Sequence, residues 1–135
     1  MYTDPRFGFT VLYPADFGAG PTNLKDSGRE WLGDSDGAIT VRAFGQNNPG
    51  VTIEQEQATR LHGMVERYAR IRGDVLTLSA YVDGGKGIVY IREVVGRGSM
   101  NILEWTYPTD QKATWDASVT LSAHTFVPGD LSVSH

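Results

Sequence analysis

The sequence predicts an α+β fold in which an antiparallel β-sheet is flanked by helices, forming an α/β/α sandwich. Three closely spaced strand patterns occupy residues 75–107, with glycine-rich turns at 83–86 and 96–98. Turns this short exclude the long crossovers that parallel strands require, so these strands are antiparallel. Segments 52–72 and 110–124 repeat apolar residues at three- and four-residue spacing, which predicts two helices packed on the sheet.

The strand patterns differ in how many faces they bury. Residues 87–95 are apolar at both odd and even positions, which predicts a central strand covered on both faces. The flanking runs 75–82 and 99–107 alternate more openly. Alternating apolar residues at 7–13 predict an N-terminal strand of the same sheet, and a turn-rich loop at 33–37 predicts a hairpin between strands 29–32 and 38–44.

Both predicted helices carry terminal signals. Thr52 and Gln55 have the spacing of a capping box, and Gly63 interrupts the first helix. Thr109 or Asp110 is expected to cap the second helix. Trp115 recurs on the inner face of this helix, which predicts that its ring is fully buried against the sheet.

Composition limits the possible function. The chain has 135 residues, a net charge of −4 and no cysteine, and its basic residues are scattered along the sequence. Nucleic-acid binding requires a basic face, and disulfides and thiol chemistry require cysteine, so neither is expected. We expect a single domain at 1–129 followed by a flexible tail at 130–135. Without a membrane-spanning run or signal peptide, the expectation is a cytoplasmic protein or an extracytoplasmic domain trimmed of its signal.

Several packing motifs resemble those of the bacterial PsbP-like proteins of the Mog/PsbP superfamily. The resemblance spans nearly the whole chain and rests on Gly8-Phe9-Thr10-Val11-x-Tyr13-Pro14, on Tyr107-Pro108, on Trp115-Asp116 and on Phe126. It implies an α/β/α sandwich that binds an unidentified protein partner or assembly without catalysis. No catalytic residue is implied by the family.

The first candidate site is the polar loop at 45–50, where Gln46, Asn47 and Asn48 precede the first helix. Their amides both donate and accept hydrogen bonds, and they lie beside unpaired helix N–H groups, which favours recognition of a peptide or an anion. The resemblance adds a Gly-x-Asn-Asn stretch often present here in the family. Alternatively, the same residues only satisfy the turn and the helix cap.

The second candidate is a polar cluster of Arg92, Glu93 and Glu104. The hairpin at 96–99 places the two glutamates on adjacent strands within two rungs of each other, where they can face one pocket. A carboxylate pair can serve as general acid and base, whereas Arg92 and Arg42 favour a structural ion pair instead.

Other motifs are weaker. His62 and Glu66, one helical turn apart, are too few for a metal site, and Gly84-Gly85-Lys86-Gly87 leads into a strand rather than an anion-binding helix. Asp34-Ser35-Asp36-Gly37 lacks the remaining ligands of a calcium loop, and no serine triad is indicated. We therefore expect no metal and no cofactor.

Two functions remain from these observations. The first is a non-catalytic protein-binding or assembly module. The second is a small hydrolase or isomerase that uses Glu93 and Glu104.

Overall fold

The computed structural model describes residues 1–21, 24, 27–34 and 37–135. Nine strands and two α-helices form the described part of the chain. The strands are β1 (Tyr2–Thr3), β2 (Thr10–Val11), β3 (Gly18–Ala19), β4 (Gly28–Leu32), β5 (Thr40–Asn47), β6 (Val65–Arg72), β7 (Val75–Val82), β8 (Gly87–Val95) and β9 (Ser99–Pro108). The helices are α1 (Ile53–Leu61) and α2 (Lys112–His124).

Seven strands form one sheet in the order β3-β4-β5-β9-β8-β7-β6, and each neighbouring pair is antiparallel. The predicted α+β architecture is confirmed, and the predicted strands of the segment 75–107 match β7, β8 and β9. β8 lies inside the sheet and is buried over most of its length. No described helix is long and apolar enough to span a membrane.

The two faces of the sheet have separate cores. Side chains of α2 and of the N-terminal segment pack on one face, together with Trp105 and Leu103. Side chains of α1 pack on the other face, together with Leu78 and Ile102. Because side chains alternate along each strand, the register of the sheet assigns every residue to one of these two cores.

The predicted helix 52–72 is wrong beyond Leu61. The capping box at its start is confirmed, since Thr52 Oγ1 accepts from the Gln55 N–H at 3.1 Å and Gln55 Oε1 accepts from the Thr52 N–H at 2.8 Å. Gly63, however, has a φ of +78°, a conformation that ends the helix. The residues after it alternate between the two faces of a strand, and pairing with β7 outweighs their helical spacing.

The N-terminal strand is also placed differently from the prediction. Phe7, Phe9 and Val11 point into the core as their alternation predicts. The segment nevertheless pairs with Tyr2–Thr3 in a separate two-stranded sheet, and Thr10 bridges to Val127 near the end of the chain. It therefore covers the edge of the α2-side core without joining the main sheet.

The second helix lies where the sequence predicts it, but its ends and its tryptophan differ. A short 3₁₀ turn at Thr109–Gln111 precedes α2, and no side chain caps the helix, so the predicted cap at Thr109 or Asp110 is wrong. Trp115 is only partly buried. The centroid of its ring lies 6.2 Å from the ring centroid of Trp105, a residue with no exposed surface.

Trp105→Ala is expected to lower the free energy of unfolding by about 3–5 kcal/mol, because it empties a large, fully enclosed volume. Trp115→Ala is expected to cost less, about 1–3 kcal/mol, because part of its ring already contacts water. Urea unfolding of both variants tests this order. A larger loss for Trp115→Ala would show that the ring on α2 dominates the aromatic cluster.

Candidate functional site

The predicted loop at 45–50 is partly strand. β5 extends to Asn47, and Gln46 and Asn47 pair with Met100 and Ser99 of β9. The Gln46 side chain is exposed. Asn47 binds the backbone of His135, donating from Nδ2 to the carbonyl at 3.0 Å and accepting from the N–H at 2.8 Å.

The Asn48 amide is used entirely within the fold. Its Nδ2 donates to the carbonyls of Val51 at 3.1 Å and Gly96 at 2.9 Å. Its Oδ1 accepts from the N–H groups of Gly50 and Val51, both at 2.8 Å. These four bonds exhaust the capacity of an amide and tie the start of α1 to the β8–β9 turn. Ligand binding by this loop stays a prediction.

The segment 130–135, predicted to be a flexible tail, lies against this same end of the sheet. The Leu131 carbonyl accepts from the N–H groups of Gly98 and Ser99 at 2.9 and 3.2 Å. With the bonds between Asn47 and His135, these contacts fasten the segment to the turn between β8 and β9.

The second predicted cluster is divided between the two faces of the sheet. Glu93 and Glu104 lie on the α1 side of adjacent strands, opposite Ile102 and Ile91 respectively. Arg92 is next to Glu93 in β8, so its side chain points to the opposite, α2 side. The structure therefore brings the two glutamates onto one face but separates Arg92 from both.

Each of these glutamates has its own arginine. Glu104 lies 3.6 Å from Arg42, as the ion-pair alternative predicted. Glu93 instead accepts from Arg60 Nε at 3.0 Å, and Arg60 also lies 3.3 Å from Glu56 within α1. Sequence reasoning missed this triad because it forms only when α1 docks on the sheet. The spacing of Glu56 and Arg60, four residues apart, was its sole local sign.

Glu93 has no exposed surface, and its Oε2 has no hydrogen-bond partner among the described residues. The pKa of Glu93 is raised from 4.5 to about 7, chiefly because burial disfavours the charged form; the neighbouring Glu56 carboxyl adds to the rise and Arg60 opposes it. A carboxyl group enclosed in this way has no contact with solvent or substrate, so Glu93 acts inside the α1-side core.

A cleft of about 720 Å³ opens on the other face, between α2 and strands β6, β7 and β8. α2 packs over β8 and β9, so the sheet extends beyond it as an overhang formed by β6 and β7. The residues lining the cleft are Arg67, Tyr68, Arg70, Arg72, Val75, Thr77, Tyr90, Arg92, Tyr107, Lys112, Asp116, Val119, Thr120, Ala123 and His124.

Arginines dominate this lining, and we refer to it as the arginine cleft. Arg70 and Arg92 occupy one row of the sheet, separated by Thr77, and Arg72 lies one row further along the same face. Asp116 is the one acidic residue of the lining, and it already pairs with Lys112 at 2.7 Å. Within the described residues, Arg70 and Arg72 have no carboxylate partner. A chain with net charge −4 thus concentrates unpaired positive charge in one cleft.

Tyrosines supply neutral hydrogen-bond donors beside these charges. Tyr90 lies in the row of Tyr68, and Tyr107 lines the floor of the cleft. Burial raises the pKa of the Tyr90 hydroxyl, with a further rise from Tyr68 and opposition from Arg92. Burial also raises the pKa of Tyr107, reinforced by Asp116. Both hydroxyls therefore stay protonated at neutral pH and can donate to an anion.

Arg92 is the one residue of the arginine cleft that the sequence analysis proposed as a candidate site residue. The available sign was the alternation of Tyr68, Arg70 and Arg72, which share a face once 65–72 is recognised as a strand. Interpreted as a helix, the same residues spread around a cylinder, and no cluster is visible.

The metal candidates do not assemble. His62 follows the last residue of α1 and Glu66 lies in β6, so the helical turn that would pair them is absent. No group of three or more metal-ligating side chains occurs in the described ranges. Of the possible calcium loop, Ser35 and Asp36 lie outside the described residues, while Asp34 Oδ1 accepts from the Ala38 N–H at 3.0 Å as a turn residue does.

Comparison with known structures identifies the fold. The solution structure of cyanobacterial PsbP (CyanoP) from Synechocystis sp. PCC 6803 superposes with a TM-score of 0.64 at 12% sequence identity, covering 94% of this chain and 90% of that one. The fold is PsbP-like. The crystal structure of LpqN, involved in cell envelope biogenesis of Mycobacterium tuberculosis, gives a TM-score of 0.59 at 16% identity and covers 93% of this chain and 87% of LpqN.

No protein-family model matches the sequence, and no curated protein matches it in sequence. The family resemblance of the packing motifs is thus confirmed at the level of the PsbP-like fold. At these identities a shared PsbP-like fold does not transfer a function, so the function has to be argued from the side chains of this chain.

Asn48→Ala is expected to lower the free energy of unfolding by about 2 kcal/mol, because it removes four hydrogen bonds around the start of α1. Asn47→Ala, at an exposed position, should cost less than about 1 kcal/mol. Thermal or urea unfolding distinguishes the two. Equal stability of Asn48→Ala and wild type would favour recognition over structure at this loop.

Glu93→Gln is expected to change how stability depends on pH. With its pKa raised from 4.5 to about 7, the folded state holds a proton that the unfolded state releases between these values. Stability of the wild type should therefore fall as pH rises through this window, by up to about 3 kcal/mol relative to Glu93→Gln. Urea unfolding over a pH series measures the difference, and Glu54→Gln controls for loss of an exposed charge. Parallel curves for wild type and Glu93→Gln would contradict the assignment.

Proposed function

We propose that this protein is a non-catalytic binding module whose arginine cleft binds an acidic segment of a partner protein. The observation that carries this proposal is the cleft itself: three arginines on one face of β6 and β8 that have no carboxylate partner among the described residues. Unpaired arginines concentrated on a concave surface are suited to binding carboxylates, often through two parallel hydrogen bonds.

The neutral groups of the cleft fit the same ligand. Tyr68 is 40% exposed at the outer rim and offers an aromatic surface. The protonated hydroxyls of Tyr90 and Tyr107 supply donors deeper inside. Tyrosine and arginine are enriched at the contacts that dominate protein–protein binding energy.

The arginine cleft is a local basic feature of a chain with net charge −4, which favours a short acidic peptide over a nucleic acid. A nucleic-acid surface follows the phosphate backbone over a long distance, while this chain carries a net charge of −4. Acidic surroundings outside the cleft would repel an extended polyanion but leave a short acidic segment free to enter.

The alternative hydrolase or isomerase required Glu93 and Glu104 to face one open pocket. Glu93 has no exposed surface and is bound by Arg60, and Glu104 lies beside Arg42. Both glutamates also lie on the face of the sheet opposite the arginine cleft. The geometry therefore favours binding over acid–base catalysis, as the PsbP-like resemblance implied.

The test is calorimetric titration with a glutamate-rich peptide. The double variant Arg70→Glu/Arg92→Glu is expected to weaken binding by about 10–100-fold, because attraction becomes repulsion at two adjacent contacts. Arg97→Glu is the matched control, since Arg97 is exposed in the β8–β9 turn and does not line the cleft. Binding by the wild type should weaken as salt is added.

Two further titrations decide the class of ligand. Inorganic phosphate and a short single-stranded oligonucleotide should bind more weakly than the peptide. Tighter binding of the oligonucleotide, or equal losses for Arg97→Glu and the cleft variant, would overturn the proposal.

A further inference from the structure

The arginine cleft ends at a free edge of the sheet. β6 (Val65–Arg72) is the last strand in the sheet order, and no described residue pairs with its outer side. The opposite edge, β3 (Gly18–Ala19), has only two residues. β6 is therefore the long edge strand, and an unpaired strand of this length is a template for adding another.

The register identifies which backbone groups of β6 point outward. The Asp74 carbonyl accepts from the Val95 N–H at 2.9 Å, so Asp74 and every second residue after it in β7 point toward β8. The intervening residues of β7 bond to β6, and Thr77 is the partner of Arg70. Arg70 thus directs its backbone inward, while Ala69 and Ile71 present their N–H and C=O groups to the outside.

The side chains of β6 divide in a complementary way. Tyr68, Arg70 and Arg72 line the arginine cleft. Ala69 and Ile71 pack with the α1-side core. A strand added to β6 would continue both faces, so its side chains would alternate between arginines on one side and an apolar surface on the other.

Resting on the proposed function, we propose that the acidic segment binds as an extended strand added to the outer edge of β6. Its backbone pairs with Ala69 and Ile71, and its alternate side chains are carboxylates that reach Arg70 and Arg72 on the neighbouring strand. The remaining side chains are apolar and extend the surface of Ala69 and Ile71. Strand addition of this kind gives affinity through the backbone and specificity through alternate side chains.

Charge explains why an acidic strand is preferred to a second copy of this chain. Pairing β6 with the β6 of a second copy would place further arginines against Arg70 and Arg72 on the same face, and like charges there are destabilising. Glu66 does not offset them, because the register shift between Glu66 and Tyr68 leaves Glu66 opposite Ala80 on the α1 side. Arginines on the edge thus discourage neutral and basic strands and admit an acidic one.

The test uses a synthetic peptide in which glutamate and valine alternate and whose length matches the 8 residues of β6. Amide hydrogen exchange is followed by NMR. At a free peptide concentration about ten times the Kd, exchange at Ala69 and Ile71 should slow about tenfold, since bound N–H groups exchange only after release. Amides of α2 should not change.

The matched variants are Ala69→Pro and Ala69→Val. Proline removes the outward N–H but is tolerated on the free side of an edge strand, whereas valine adds bulk and keeps the N–H. Ala69→Pro is expected to weaken peptide binding about tenfold, and Ala69→Val should bind like the wild type. If Ala69→Pro does not fold, hydrogen exchange in the wild type decides alone.

Each outcome separates this proposal from the one on which it rests. Binding that depends on Arg70 and Arg92, without protection of Ala69 and Ile71 and without loss in Ala69→Pro, overturns strand addition and leaves the acidic-ligand function standing. Binding indifferent to the arginines overturns both. A stable dimer that Ala69→Pro dissociates would make a second copy the occupant and overturn the acidic strand.

Discussion

The register of the ladder from β6 through β7 and β8 to β9 is the constraint on which the rest of this structure depends. Antiparallel pairing fixes which residues stand opposite each other, and alternation then assigns each side chain to one face. A slip of one residue in β8 would move Arg92 into the α1-side core and Glu93 into the cleft. Both the buried triad and the arginine cleft are consequences of this one pairing.

The two faces of the sheet differ in whether their ionisable side chains are buried and paired or open to solvent. On the α1 side, the Glu93 carboxyl group has no exposed surface and is bound by Arg60, which also pairs with Glu56. Removing Arg60 would leave the buried Glu93 carboxyl group without its ion-pair partner, which is costly where water is excluded. On the α2 side, Arg70 and Arg92 keep access to solvent. That face retains arginines without a carboxylate partner among the described residues, which a ligand can reach.

The placement of α2 creates the cleft. Val119 and Ala123 pack the helix against the core near Trp105 and Leu103, which leaves Arg70 of β6 and Thr77 of β7 lining the cleft. The same overhang ends in the free edge of β6. Side-chain charge and backbone hydrogen-bonding groups therefore become available at one place, and an acidic extended segment uses both together.

The sequence by itself determined the α+β class, the strands from 75 to 107, the capping box at Thr52 and the inward direction of Phe9, because turn chemistry and local periodicity act between near neighbours. It also placed Glu93 and Glu104 on one face of adjacent strands. It assigned residues 65–72 to a helix, because helical spacing and strand alternation are both present there and pairing with β7, a tertiary interaction, decides between them. The contact of Arg60 with Glu93, the docking of α2 and the gathering of Arg70 with Arg92 join residues distant in the chain. Such contacts exist only once the sheet has set its register, so only the tertiary structure decided where this protein carries its accessible charge.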